Sequence, residues 1–253
     1  MTKLLVDAGN TKIKGVLYEE GDFQRVFTLA SKDFQKQDLT IDRGRGDLTN
    51  ILVCSVLGSK LTSDLVRKLT KEFSLKPSVL TTECRTDLIN HTYRDITKLG
   101  VDRWMAMIGA RAASPDNNIM VFDFGTAITL DIISKSGKHL GGHIVPNIES
   151  TVNGLLGATK NIQIGPARHY AGQELFKLGQ STESCVLFGI ESMIYAYIKR
   201  MVEDFGSQAQ DYKVYCCGEG VNKAMLDEIV QNIVYDKDLL FKGMLKCIER
   251  QES

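Results

Sequence analysis

The sequence predicts an α/β protein that folds into two lobes with a cleft between them. Two observations lead to this prediction: strands and helices alternate along the 253 residues, and one strand–loop–strand pattern occurs twice. A chain of this length can bury roughly 70–75% of its unfolded surface. Residues 114–118 (Ser-Pro-Asp-Asn-Asn) form the strongest break, so we expect an N-terminal lobe over 1–114 and a C-terminal lobe over 115–253.

The N-terminal lobe is expected to open with a β-meander. Alternating apolar residues and turn residues predict strands at 3–6, 12–18 and 24–29. Short β-branched runs predict further strands at 51–56 and 79–81. Apolar residues at helical spacing predict helices over 61–73 and 102–113. The sequence assigns no regular structure to the polar, Gly- and Arg-rich residues 31–50.

The C-terminal lobe begins with a second copy of the same pattern. Strands are predicted at 119–122 and 128–133, and Asp123-Phe124-Gly125 lies between them as Asp7-Ala8-Gly9 lies between the first two strands. A turn glycine follows fourteen residues after each aspartate, at Gly21 and at Gly137. These coincident spacings favour an internal duplication. Helices at 148–159 and 183–205, a strand at 214–217 and two closing helices complete the prediction.

Composition and charge exclude several classes of protein. Apolar residues make up 43% and charged residues 25%, which is typical of a globular chain. Lys plus Arg and Asp plus Glu both number 31, so no net charge favours nucleic acid or an anionic membrane. No apolar run is long enough to span a membrane, and we expect a cytoplasmic protein. None of the six cysteines forms a Cys-x-x-Cys pair, so reduced, buried thiols are expected.

The repeated Asp-x-Gly loops carry the first chemical signal. Gly9 allows the backbone to approach a phosphate, Thr11 adds a hydroxyl donor, and Lys12 and Lys14 add positive charge on one strand face. Asp7 could hold Mg²⁺ or water bound to it. A single loop of this kind is more often a plain tight turn, but two of them could clamp the ends of a triphosphate. The Gly-x-x-x-x-Gly-Lys-Ser/Thr motif does not occur.

A second cluster precedes the helix predicted at 102–113. Gly100 permits a turn, and Asp102 and Arg103 follow it at the start of the helix. Asp102 could act on a substrate hydroxyl while Arg103 binds an anionic group. The alternatives are an N-cap aspartate and a surface ion pair between the two side chains.

Taken together, the motifs resemble those of type III pantothenate kinases over nearly the whole chain. The resemblance rests on five segments in order, at 7–14, 99–104, 123–131, 139–146 and 178–182. It implies the duplicated actin-like, ribonuclease-H-like ATPase fold. It also implies ATP-dependent phosphorylation of pantothenate at its primary hydroxyl, the first committed step toward coenzyme A. The partners it implies are ATP with Mg²⁺, a monovalent cation (K⁺ or NH₄⁺) and a second copy of the chain.

The resemblance also implies roles for individual residues. Asp102 would be the general base, and Asp123 would bind the monovalent cation. The residues expected to contact pantothenate are Tyr93, Gly100, Val101, Arg103 and Thr182. Those expected to contact ATP are Asp7, Ala8, Gly9, Asn10, Thr11, Lys12, Ile13, Lys14 and Thr126.

The sequence departs from the family pattern at three places. Ile96 or Thr97 stands where a proline commonly precedes the Leu-Gly-x-Asp-Arg motif. Cys217 replaces a glycine near the expected nucleotide pocket, where its side chain could crowd ATP, and Asn147 stands where a glycine commonly follows a proline. Two other functions therefore stay open: another small-molecule kinase of the same fold, or a non-catalytic nucleotide-binding regulatory factor. The intact carboxylates of Asp7, Asp102 and Asp123 favour a kinase.

Overall fold

The computed structural model describes residues 1–37, 39, 48–85, 87–159, 177–206, 212–220 and 222–249. In chain order its elements are β1 (Thr2–Ala8), β2 (Lys12–Glu19), β3 (Asp22–Ala30), β4 (Leu48–Ser55), α1 (Ser59–Phe73), β5 (Ser78–Val79), a 3-10 turn (Ile96–Lys98), α2 (Val101–Ala113), β6 (Asn118–Phe124), β7 (Ala127–Ile133), β8 (His139–Pro146), α3 (Ile148–Ala158), α4 (Thr182–Gly206), β9 (Tyr212–Cys217), α5 (Lys223–Ile229), β10 (Ile233–Tyr235) and α6 (Leu239–Ile248). In the segment at 31–50, for which the sequence assigns no regular structure, residues 38 and 40–47 lie outside the described residues, and β4 begins at Leu48.

The chain divides into two compact units. Unit 1 contains the described residues up to Pro115, residues 137–139 and the chain from Asp238 onward. Unit 2 contains the described residues of 116–136 and 140–237. The boundary near residue 115 coincides with the Pro-Asp-Asn break, where a proline and turn-forming residues separate α2 from β6.

Each unit is built on a sheet of the same topology. The strand order is β3-β2-β1-β4-β5 in unit 1, and β8-β7-β6-β9-β10 in unit 2 when read in the same direction. In both sheets the strand that leads into the Asp-x-Gly loop pairs antiparallel with the next strand and parallel with the strand on its other side. Gly21 and Gly137 both adopt positive φ in the hairpin turns. The predicted duplication is confirmed.

The core of each unit lies between its sheet and its helices. In unit 1, α1 contributes Leu65 and Leu69 to a cluster that includes Val6 and Val53 of the central strands. Burying a side chain of this size stabilises the folded state by about 1.5–3 kcal/mol. In unit 2, α4 packs its buried apolar face on β6, β7 and β9. Within the described residues, none of the helices combines the length and apolar composition needed to cross a bilayer.

Helix α6 packs on α2 at very short range. A Cβ atom on Gly243 would overlap the carbonyl oxygen of Met105, and one on Gly109 would overlap that of Leu239. The two glycines therefore let the helix backbones touch. This contact explains why α6 groups with unit 1, whereas the sequence analysis assigned all residues after 114 to the C-terminal lobe.

The cysteines follow the expectation only in part. Cys54, Cys216 and Cys217 are buried free thiols, as expected, whereas Cys185 is exposed. Cys84 and Cys247 are joined in a disulfide across 163 residues of sequence, so the expectation of a reduced thiol is wrong for this pair. The disulfide fastens α6 to the loop after β5. Arg85 adds to the connection, because its Nη1 donates to the carbonyl of Lys246 at 2.8 Å.

The disulfide should stabilise the protein measurably. Closing a loop of this length typically contributes about 2–4 kcal/mol of unfolding free energy. In urea unfolding without reductant, we expect Cys247→Ala to have an unfolding free energy lower by that amount. Dithiothreitol should lower the unfolding free energy of the wild type by a similar amount. Cys185→Ala is the matched control and should unfold like the wild type. Six reactive thiols in unreduced, unfolded wild-type protein would contradict the disulfide.

Candidate functional site

The first Asp-x-Gly loop is a tight turn between β1 and β2. The amide of Gly9 donates to the carbonyl of Lys12 at 3.0 Å, which closes the turn. The buried Ser31 fastens this loop with two hydrogen bonds. Its hydroxyl donates to the carbonyl of Gly9 at 2.6 Å, and its amide donates to the carbonyl of Thr11 at 2.9 Å. Ser31 is a structural element of this loop that the sequence analysis missed.

The side chains around this loop separate into two faces. Asp7 lies directly opposite Lys14 in the β1–β2 ladder, so their side chains emerge on the same face of the sheet. Ala8 and Ile13 are fully buried in the core. Any contact from those two residues to a nucleotide would therefore come from their backbone. Asn10, Thr11 and Lys12 are exposed.

Asp102 lies in the first turn of α2, and Gly100 is the N-cap residue of that helix. The alternative in which Asp102 is itself the N-cap is therefore wrong. Asp102 Oδ1 accepts a hydrogen bond from the amide of Arg103 at 2.8 Å. A Cβ on residue 100 would lie 2.5 Å from that oxygen, so Gly100 provides the space that this carboxylate occupies.

The charges of Asp7 and Asp102 both act on Cys54, near the end of β4. Cys54 is paired with Asp7 in the β1–β4 ladder and is fully buried. Burial raises the pKa of the Cys54 thiol well above its ordinary value, and the charges of Asp7 and Asp102 raise it further. Two carboxylates that are far apart in sequence thus influence the same buried thiol.

Arg103 is connected to Tyr93. Its side chain is nearly buried, and Nη1 donates to the Tyr93 hydroxyl at 3.1 Å. The next residue, Trp104, is completely buried and donates from Nε1 to the carbonyl of Cys84 at 2.9 Å, which fixes the start of α2 on the loop after β5. A guanidinium held in this way is suited to bind a carboxylate or phosphate. Val101 is buried beside it.

The second Asp-x-Gly loop lies between β6 and β7 in unit 2. The amide of Gly125 donates to the carbonyl of Ala127 at 3.0 Å, and the exposed Thr126 is at the tip. Asn147 caps α3 and also donates from Nδ2 to the carbonyl of Gly125 at 2.9 Å. Ser150 donates its hydroxyl to the carbonyl of Thr126 at 3.0 Å. The sequence assigns Asn147 no structural role. Asparagine three residues before Ser150 at a predicted helix start is the signal that could have identified it as an N-cap.

Asp123 is closely surrounded at the end of β6. It pairs with Cys217 in the β6–β9 ladder, and a Cβ on Gly218 would lie 2.6 Å from Asp123 Oδ1. Gly218 has a φ of +90°, which an L side chain rarely adopts. Cys217 is only 4% exposed, with Sγ 3.6 Å from the carbonyl of Phe122. Its thiol therefore points into unit 2, and its pKa is raised by burial and then by Asp123.

Thr182 begins α4 and is exposed. The turn before it is closed by Ser181 and Ser184, which exchange hydrogen bonds: the amide of each residue donates to the other's hydroxyl at 3.1 Å or less. This reciprocal arrangement satisfies amides at the helix start, as a capping box does. Unit 1 thus holds Asp7, Tyr93, Asp102 and Arg103, and unit 2 holds Asp123, Thr126 and Thr182.

The donor set fits a magnesium ion that also binds a nucleotide. Among the described residues, no group of three or more histidine, cysteine or acidic side chains could hold a metal by itself. Mg²⁺ commonly takes one or two carboxylates and completes its octahedron with water and phosphate oxygens. Asp7 offers an oxygen of that kind in unit 1.

Comparison with solved structures bears on the fold. A Campylobacter jejuni protein named as a Baf family transcriptional activator superposes with a TM-score of 0.61 at 22% identity, with 98% of each chain covered. A Listeria monocytogenes protein named as an N-acetylmannosamine kinase superposes with a TM-score of 0.51 at 12% identity over both full chains. At such identities the likeness concerns the fold alone. The predicted duplicated actin-like α/β fold is confirmed.

Comparison of sequences identifies the family. A type III pantothenate kinase from Teredinibacter turnerae is 28% identical over 255 aligned residues, which cover 99% of this chain and 100% of the relative. One from Hahella chejuensis is 30% identical, with 96% of each chain covered. The profile of this family matches residues 3–204. That match includes both Asp-x-Gly loops, Asp102 with Arg103, and Thr182, and the chain belongs to the type III pantothenate kinase family.

Proposed function

We propose that this protein transfers the γ-phosphoryl group of ATP to the primary hydroxyl of pantothenate, giving 4'-phosphopantothenate and ADP in the first step of coenzyme A biosynthesis. One observation carries the proposal for this chain: Asp102 and the Tyr93-bound Arg103 emerge together at the start of α2. A proton acceptor and an anion binder are thereby adjacent in a chain that belongs to this family.

Asp102 is proposed as the general base. It would take the proton of the attacking hydroxyl as that oxygen bonds to the γ-phosphorus. The bond from the γ-phosphorus to its bridging oxygen breaks, and ADP leaves. The hydrogen bond from the Arg103 amide to Oδ1 fixes the carboxylate while its other oxygen can take the proton. The proton then passes to solvent.

Arg103 is proposed to bind the carboxylate of pantothenate. Its side chain is 7% exposed, and an ion pair in such a site is little screened by water. Tyr93 accepts a hydrogen bond from this guanidinium and would line the same site. Gly100, Val101 and Thr182 complete the proposed pantothenate contacts.

The two Asp-x-Gly loops are proposed to bind ATP. Residues 7–14 would offer backbone amides, the Thr11 hydroxyl and the charges of Lys12 and Lys14 to the phosphates, and Thr126 would act from the second loop. Asp7 would hold Mg²⁺, which neutralises phosphate charge when it is bound. Asp123 is proposed to bind K⁺ or NH₄⁺ through its carboxylate, whose Oδ1 lies close to the backbone of Gly218.

A homodimer belongs to the same proposal. Leu140 and Ile144 lie two pleats apart on β8, an edge strand of the unit 2 sheet, and are 50% and 65% exposed. An edge strand with exposed apolar side chains favours association with another chain. Light scattering of the purified protein tests the dimer. A cytoplasmic location is also proposed, although the Cys84–Cys247 disulfide weighs against it, since disulfides rarely persist there.

The deciding experiment measures ADP release from ATP and Mg²⁺ with purified protein, coupled to NADH oxidation. We expect release that depends on pantothenate and increases with K⁺. A panel of sugars and hydroxy acids is run beside pantothenate. Turnover of one of these compounds instead would indicate another small-molecule kinase of the same fold.

ATP binding is measured in parallel by calorimetry. If ATP binds and no substrate is phosphorylated, a non-catalytic regulatory role replaces the proposed reaction. If ATP does not bind either, the nucleotide loops are the failed part of the proposal. Activity that is identical in K⁺ and in a large organic cation would remove the proposed role of Asp123.

A further inference from the structure

Residues 137–139 join unit 1 beside the proposed pantothenate site. Asn90 holds this short segment from both ends: its amide donates to the carbonyl of Gly137, and its carbonyl accepts from the amide of His139, each at 2.9 Å. Gly137 has a φ of +82°, and a Cβ there would lie 2.9 Å from the carbonyl oxygen of Leu88. Gly137 thus permits the close approach of this segment to Leu88, and His139 belongs to unit 1 as a result.

The side chain of His139 packs against that of Tyr93. The histidine is fully buried, and its ring lies nearly parallel to that of Tyr93, with 6.0 Å between centroids and 13° between planes. Offset parallel rings at this separation attract each other beyond the area they bury. Tyr93 belongs to a loop between β5 and the 3-10 turn, so ring packing contributes to its orientation where strand pairing does not.

The oriented tyrosine in turn contacts Arg103. Its hydroxyl accepts from Arg103 Nη1 at 3.1 Å, and Arg103 is buried. His139, Tyr93 and Arg103 therefore form a continuous row that ends at the residue next to Asp102. A shift of the Tyr93 ring would move the hydroxyl and release one of the bonds that hold the guanidinium fork.

We propose that His139 is a positioning residue for substrate binding: by packing on Tyr93 it holds the Arg103 guanidinium where it can bind the carboxylate of pantothenate. The inference rests on the proposed function. It assigns His139 no contact with the substrate and no part in the proton transfer. Its consequence is specific, because loss of the ring should weaken pantothenate binding without changing the phosphoryl-transfer step.

Three substitutions separate ring packing from mere filling of space. His139→Phe keeps a planar ring, His139→Leu fills similar volume without one, and His139→Ala leaves a cavity. All three retain the backbone bond to Asn90. We expect His139→Leu to raise the KM for pantothenate about tenfold, the effect of weakening one charge-assisted hydrogen bond, with the KM for ATP and kcat near wild type. His139→Phe should restore the wild-type KM.

A double-mutant cycle with Tyr93→Phe tests the row itself. That change removes the hydroxyl that binds Arg103, so His139→Leu should have little further effect on KM in its presence. Phe23→Leu is the matched control, since it removes a ring that packs on Tyr18 elsewhere in unit 1. Circular dichroism and thermal unfolding establish that each variant is folded.

The outcomes distinguish this inference from the proposed function. Wild-type protein that does not phosphorylate pantothenate overturns both. Wild-type activity with an unchanged KM in His139→Leu overturns the inference alone. Equal losses in His139→Leu and His139→Phe, or losses that add fully to those of Tyr93→Phe, also overturn it, because they indicate a general packing role.

Discussion

Replacement of Asp102 by asparagine is expected to lower kcat by about 10²–10⁴-fold, the usual contribution of a general base. The amide has nearly the size of the carboxylate and keeps an oxygen that can accept from the Arg103 amide, as Asp102 Oδ1 does at 2.8 Å. The start of α2 should therefore be preserved. What the variant loses is a group that can accept a proton at neutral pH. Coupled measurement of ADP release gives kcat directly.

Asp95→Asn is the matched control for this experiment. Asp95 also accepts from a backbone amide near the start of a helical turn, that of Thr97 at 3.0 Å, but its side chain is exposed and has no proposed role in the reaction. We expect its kcat to equal that of the wild type. If Asp102→Asn is folded, binds pantothenate and retains near-wild-type kcat, Asp102 is not the base.

Gly243→Ala is expected to cause the largest loss of stability that a single methyl group can produce here. In an open helix the same change would stabilise the protein by up to about 1 kcal/mol, since alanine is the better helix former. In α6 the new Cβ would overlap the carbonyl oxygen of Met105 in α2. The Cβ is fixed to the backbone of α6 and the oxygen belongs to the backbone of α2, so neither can move alone. The helices must separate, which we expect to cost about 3 kcal/mol.

Urea unfolding measures this loss, and Gly189→Ala provides the comparison. Gly189 lies within α4 and has open space where a Cβ would be added. That variant should be as stable as the wild type or slightly more so. Equal stability of Gly243→Ala and the wild type would show that α6 does not pack on α2 at this distance.

A separation of α2 and α6 should also displace the residues of the proposed site that lie on α2. Asp102 and Arg103 belong to the first turn of α2, and Met105 lies within the next turn of the same helix. We therefore expect Gly243→Ala to lower activity as well as stability. Activity should fall less in Gly243→Ala than in Asp102→Asn, because the proton acceptor is still present.

Local patterns in the sequence were sufficient for most secondary structure. Apolar runs separated by turn residues predicted the β1–β2 and β6–β7 hairpins. The apolar stripe predicted a helix at 183–205, and α4 runs from Thr182 to Gly206. The strands β8 and β10 were not predicted. β8 contains two adjacent glycines and exposed apolar residues, and β10 has only three residues, so neither shows a clear period of two.

The sequence by itself determined the duplicated α/β fold, the two Asp-x-Gly loops and the Asp102–Arg103 pair, because each is encoded by neighbouring residues. Only the tertiary structure paired Asp7 with Cys54, joined Cys84 to Cys247, and brought His139 onto Tyr93. It also returned α6 to unit 1 through Gly109 and Gly243. These contacts depend on how distant elements pack, so they cannot be predicted from a pattern that extends over one helix or one hairpin.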